Sequence, residues 1–154
     1  MPALPELSRA AFSTLERTAR ELATARDPWW VIGSAAVALH GGDPGTIADI
    51  DVIVSRRDID ALYERLPLTA TPDTSKDFFR SQRFGRWSEP ALDVEFMAGL
   101  QVRSEGAWHD VVPRTRQAFD LGGATVYAPE RKELIAMLCL FARKKDLRRA
   151  ATLG

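Results

Sequence analysis

The chain has 154 residues, 45% hydrophobic and 27% charged, and its 21 Lys plus Arg balance 21 Asp plus Glu. That is the material of one folded unit with an apolar core, read here as a single domain over 1–154, and a zero net charge gives no sign of bulk attraction to nucleic acid or an anionic membrane. The one cysteine, Cys139, excludes an internal disulfide and a thiolate metal site. The opening MPALPELSRAAF lacks a long apolar core, and no run reaches the roughly 18–20 apolar residues of a membrane span, so the cytoplasm is the expected compartment.

Residues 6–26 carry Leu7, Phe12, Leu15, Ala19 and Leu22 near helical spacing, with Ser8 as a candidate cap, and Asp27-Pro28 ends that helix. WWVIG (29–33) reads as a strand, AAVALH (35–40) as a short helix leaving through Gly41-Gly42, and GDPGT as a loop. ADIDVIV (48–54) is the second strand and 55–66 a helix with Ile59, Leu62, Tyr63 and Leu66 on one side. TATPDTSKD (69–77) is a polar loop. Residues 78–87 are extended, Ser88 to Pro90 turn the chain, and ALDVEFMAG (91–99) alternates like a strand. The stretch 101–122 is ambiguous; a strand at 108–112 and a short helix at 114–119 are expected. ATVYA (124–128) is a strand, and 130–153 is one long final helix. The pattern mixes helices and strands in a single unit.

Asp49 and Asp51 stand out because ionised carboxylates are expensive to bury unless paired or metal-bound. In a strand, residues i and i+2 share a face, about 6–7 Å apart. Asp93 and Glu95 form a second such pair, with Leu92, Val94 and Phe96 turned the other way. If the two strands are neighbours, three or four carboxylates converge. Left empty that patch repels itself; one or two divalent cations stabilise it, and hard ions such as magnesium choose oxygen ligands and phosphate. Two such ions can clamp the attacking and leaving oxygens of a displacement at phosphorus. Gly33-Ser34 follows a strand and opens a helix, a place suited to phosphate, although for Ser34 taken alone a plain helix cap is the preferred reading.

The order of VIGSAAVALHGG, TIADIDVIVS and ALDVEFMAG resembles the nucleotidyltransferase superfamily of the DNA polymerase beta type, and the closing YAPERKELIAMLCLFARKKDLRRAATL looks like the end of its small bacterial members. The resemblance covers roughly residues 28 to 150. It implies an α+β fold, a small mixed β-sheet with flanking helices forming a nucleotidyltransferase-like palm. It implies transfer of a nucleoside monophosphate from a nucleoside triphosphate, such as ATP, to a hydroxyl acceptor in RNA, a protein or a small molecule. Gly33, Ser34 and Lys145 would bind the nucleotide; Asp49, Asp51 and a third acid would hold two Mg2+ ions. Asp93 is favoured as that third acid because it follows Leu92, and Glu95 on the same face is the other candidate. No Arg stands just ahead of the aspartates, where many relatives carry one. Arg80, Arg83 and Arg86 are candidate substitutes, with solvated surface arginines the preferred reading.

His40 reads best as a helix C-terminal cap, the tryptophans as core in preference to a stacking platform for bases, and the basic run RKKDLRR (143–149) as a solvated helix end in preference to a grip on a polynucleotide backbone. Phosphate-loop, dinucleotide, zinc-protease and α/β-hydrolase motifs are absent. The rival to an enzyme is a binding module of the same fold, such as a toxin–antitoxin component with a small helical protein partner. A hydrolase using paired carboxylates is a weaker third reading.

Overall fold

A computed structural model of the chain describes residues 7–70 and 78–154. The elements are α1 (Arg9–Glu21), β1 (Trp30–Ile32), α2 (Gly33–Leu39), β2 (Asp49–Ile53), α3 (Arg56–Arg65), β3 (Leu68–Thr69), β4 (Phe79–Arg80), β5 (Arg83–Trp87), β6 (Asp93–Ala98), β7 (Gln101–Ser104), β8 (Ala107–Asp110), β9 (Gln117–Leu121), β10 (Ala124–Ala128), α4 (Arg131–Phe141) and α5 (Lys144–Leu153). The main sheet has the order β1-β2-β6-β5-β3, with β4-β7-β8 and β9-β10 as smaller sheets. Among the described strands of the main sheet only β2 and β6 run parallel. The architecture is the α+β type expected. No helix among the described residues is long and apolar enough to cross a membrane.

Alternation along the strands divides the main sheet into two faces. Val31, Ile50, Val52, Val94 and Phe96 belong to one core, with Leu15 of α1, Ile59 and Leu62 of α3 and Leu134 of α4. Each such side chain contributes about 1.5–3 kcal/mol when fully removed from water. Ile32, Ile53 and Met97 turn to the opposite face and form a smaller cluster with Val102, Met137 and Phe141. That cluster covers only part of its face. The acidic positions of β2 and β6 share the face and meet the uncovered part.

The start of α1 follows its sequence: the Ser8 side chain caps the helix by accepting from Ala11 N–H. Thr14, fully buried, donates its hydroxyl to Ala10 and accepts from Leu92 N–H at 3.1 Å, which ties the helix to the entry of β6.

Four expectations change. The first helix stops at Glu21, with Leu22 as its C-cap, rather than running to Asp27-Pro28. The final helix is two helices, because Ala142 adopts a left-handed φ of 61° and Arg143 with Asp146 forms a capping box that starts α5. The helix expected at 114–119 is absent; Gln117–Leu121 is a strand paired with β10 across a turn where Gly122 and Gly123 both have positive φ. The ambiguous stretch holds a second hairpin, β7-β8, turning at Glu105-Gly106, both again at positive φ. Most of the polar loop expected at 69–77 lies outside the described residues, although Thr69 belongs to β3.

Candidate active site

Strand register builds the site. Ile32 of β1 lies opposite Asp51 of β2, Asp51 opposite Glu95 of β6, and Glu95 opposite Arg86 of β5. One row across four strands therefore ends β1, places two acids side by side, and sets an arginine at the far side. Asp49, Asp51 and Glu95 each offer a carboxylate oxygen, and these oxygens lie within 4.8 Å of one another. Asp93 is not in the group. It pairs with Asp49 at the first residue of β6, one row away, while Glu95 stands beside Asp51. Of the two third-acid candidates, the structure brings Glu95, not the favoured Asp93, to the aspartates.

Glu95 is nearly buried, at 7% exposure, and Arg86 donates to its Oε1 at 2.8 Å. A buried carboxylate needs such a partner. The preferred reading of Arg86 as a solvated arginine does not hold. Arg83 pairs with Asp60 and lies over the Tyr63 ring, 3.9 Å from its centroid. Arg80 stays exposed over Trp108, with its Nε donating to Gln101.

Gly33 sits where the backbone passes close to Asp51. Its φ is +69°, and a Cβ there would lie 3.1 Å from Asp51 Oδ2. Glycine alone meets both demands without strain. Ser34 is buried inside α2 rather than capping it; Ile32 holds the N-cap position without a side-chain hydrogen bond.

Gly33, Ser34, Asp49, Asp51, Glu95 and Lys145 all line one cavity of about 720 Å³, joined by Arg143 and Arg149 of the closing segment. That volume is within the usual range for small-molecule sites. Asp93 is not among its lining residues. A cavity of similar size, about 750 Å³, lies beside Trp29, Arg116 and Tyr127 and contains none of the three clustered acids. The carboxylates, not the volume, decide where chemistry is placed.

The run 143–149 is more than a solvated helix end. Asp146 is 1% exposed and accepts from the Arg143 side chain at 2.6 and 3.0 Å. Arg149 donates to the Pro44 carbonyl at 2.7 Å. Burial pulls the Arg149 pKa down from its usual value, with the charges of Asp146 and Asp51 acting the other way. His40 does close α2, and its ring also bonds the Pro129 carbonyl at 2.8 Å and meets Phe119 edge-on.

No family model matches the chain, and no curated protein does. Solved structures do. A candidate nucleotidyltransferase from Thermotoga maritima superposes with a TM-score of 0.65 over 88% of each chain at 23% identity. This chain has the nucleotidyltransferase fold. An antigenic nucleotidyltransferase-like protein from Paracoccidioides brasiliensis shares that fold at 16% identity, over 96% of this chain and 77% of its own, with a TM-score of 0.57. The antibiotic-resistance factor ANT(2'')-Ia, solved with adenylyl-2''-tobramycin, does so at 14% identity, over 96% and 91%, with a TM-score of 0.55.

Sequence reasoning named Arg86 only as a candidate for serving phosphates and missed its pairing with Glu95. RFGRW alternates, so Arg86 shares a face with Phe84, but only the β5-β6 register reveals that Glu95 is its partner.

Proposed function

We propose that this fold carries a metal-dependent nucleotidyltransferase, moving a nucleoside monophosphate from a nucleoside triphosphate to a hydroxyl acceptor. The observation that carries this reading is the meeting of Asp49, Asp51 and Glu95 oxygens within 4.8 Å, beside the Gly33-Ser34 bend. Three clustered carboxylate oxygens fit a hard divalent cation, and Mg2+ is the natural occupant, with two ions as the expected number. When bound, such ions neutralise phosphate charge and activate the attacking and leaving oxygens.

The chain's own residues do the rest. Gly33 lets the backbone approach the triphosphate, and Ser34 and Lys145 flank its path within the same cavity. Asp49 and Asp51 would hold the metal. Glu95, held by Arg86, completes the ligand set and takes the acceptor's proton. The acceptor oxygen bonds to the α-phosphorus, and the bond from that phosphorus to pyrophosphate breaks. Catalysis is then positioning and charge neutralisation.

The test is pyrophosphate release from each nucleoside triphosphate with Mg2+, in the presence of RNA, protein and small hydroxyl acceptors. Release by the native chain and its loss in Asp49→Asn are expected. Nucleotide binding without release would replace the enzyme by a binding module, and full activity in Asp49→Asn would remove the site assignment.

A further inference from the structure

The small sheet β4-β7-β8 forms a lip of the cavity, and its outer face carries an unusual set of side chains. Arg80 of β4 lines the cavity and lies over Trp108 of β8, with its guanidinium carbon 4.1 Å from the ring centroid. Arg103 of β7 is the register partner of Trp108 and is exposed. Phe78, two residues before Arg80, is 55% exposed, and its carbonyl accepts from Arg103 N–H at 2.7 Å. Phe79 and Val102 turn inward instead, Phe79 against Phe141. The outer face thus joins two aromatic rings and two arginines in one strip that begins at the cavity.

Neither arginine pairs with a carboxylate among the described residues. Arg80 bonds the Gln101 amide, and the acid on this face, Asp110, accepts from Gln101 Nε2 at 2.7 Å. Glu105 lies at the hairpin turn beyond the strip. Arg80, Arg83, Arg143, Lys145 and Arg149 also line the cavity, with Arg83 paired to Asp60 and Arg143 to Asp146.

We infer that the acceptor is the terminal hydroxyl of a single-stranded nucleic acid, laid along β4-β7-β8 with bases stacked on Phe78 and Trp108 and phosphates on Arg80 and Arg103. Aromatic platforms interleaved with cations are how single strands are gripped without reading sequence. The strip is local, which is compatible with a net charge of zero for the chain. This acceptor class presupposes the nucleotidyl transfer proposed above: the strand's hydroxyl oxygen bonds to the α-phosphorus, its proton leaves to Glu95, and pyrophosphate departs.

Binding is measured separately from catalysis. Fluorescein-labelled single-stranded RNA and DNA of about 12 nucleotides are titrated with the full chain, without nucleoside triphosphate, by fluorescence anisotropy. Binding that weakens with added salt is expected. Phe78→Ala and Arg103→Ala, both exposed positions, each weaken it about tenfold with unchanged circular dichroism. A preference for RNA or for DNA identifies the sugar and supports the inference either way. No binding at low salt overturns it. So does equal binding by native chain and both variants, or duplex bound as tightly as single strand. Pyrophosphate release with a small hydroxyl acceptor but no oligonucleotide binding removes this inference and leaves the enzyme. Binding with no pyrophosphate release under any acceptor removes the enzyme and leaves the strip.

Discussion

Gly33→Ala separates backbone strain from the geometry of the site, because Gly41 provides a matched control. Both glycines have positive φ, +69° at Gly33 and +82° at Gly41, but an added Cβ meets Asp51 Oδ2 at 3.1 Å in the first and nothing within 4 Å in the second. Alanine in the left-handed region costs about 1–2 kcal/mol. For a chain of this size each kcal/mol lowers Tm by about 2–4 °C, so Gly41→Ala is expected to melt about 2–8 °C below the native protein. Gly33→Ala bears the same strain and also pushes the Asp51 carboxylate by a few tenths of an ångström. Its melting loss is slightly larger, while pyrophosphate release falls about tenfold, since a shift of about 1 Å would cost about a hundredfold. Gly41→Ala keeps its release rate. Calorimetry and a coupled pyrophosphate assay on the three proteins decide the matter. If both variants lose release equally, or Gly33→Ala loses none, the close approach to Asp51 has no functional meaning.

Other outcomes follow from the same geometry. Glu95→Gln should lose about a hundredfold or more in pyrophosphate release, whereas Asp93→Asn, one row away, should stay within a factor of about three of the native rate; the reverse order would restore Asp93 as the third acid. Arg86→Met leaves Glu95 buried without its 2.8 Å partner, and urea unfolding should show a loss of about 2–4 kcal/mol. Adding Glu95→Gln should return part of that loss, a coupling of about 1–3 kcal/mol; strict additivity would deny the pair. His40 gives a pH signature. Burial lowers its pKa below the usual 6.5 despite the Pro129 bond, so the fold prefers the neutral ring. Its contribution is complete above pH 6.5 and is lost as pH falls below it, where the unfolded chain takes up a proton first. The Tm of His40→Asn should be lower and flatter over that interval, and an unchanged slope would refute the assignment.

The acidic pairs were legible because a period of two puts Asp49 with Asp51, and Asp93 with Glu95, on a face opposite Val and Ile. Which of the second pair joins the first was not. Both share the face, and the choice rests on register between strands distant in the chain. Gly33-Ser34 was legible as a bend, but the Cβ contact that demands glycine depends on Asp51 arriving from β2. Glu105-Gly106 hid a hairpin, since Glu is an unusual residue at a positive φ. Gly122-Gly123 did signal a turn, and the polar, exposed positions of β9 concealed the strand before it. The break at Ala142 had no local mark, because alanine favours helix, yet Ala142 takes a left-handed φ just ahead of the Arg143–Asp146 capping box. Arg86 looked like a surface residue because its partner Glu95 is brought beside it only by the pairing of β5 with β6.

The most direct test of the central claim is anomalous diffraction from crystals soaked in Mn2+ with a non-hydrolysable nucleoside triphosphate. Manganese density bounded by Asp49, Asp51 and Glu95, with the triphosphate beside Gly33 and Ser34, is the predicted result. Manganese bound elsewhere, or triphosphate seated away from those three carboxylates, would contradict it.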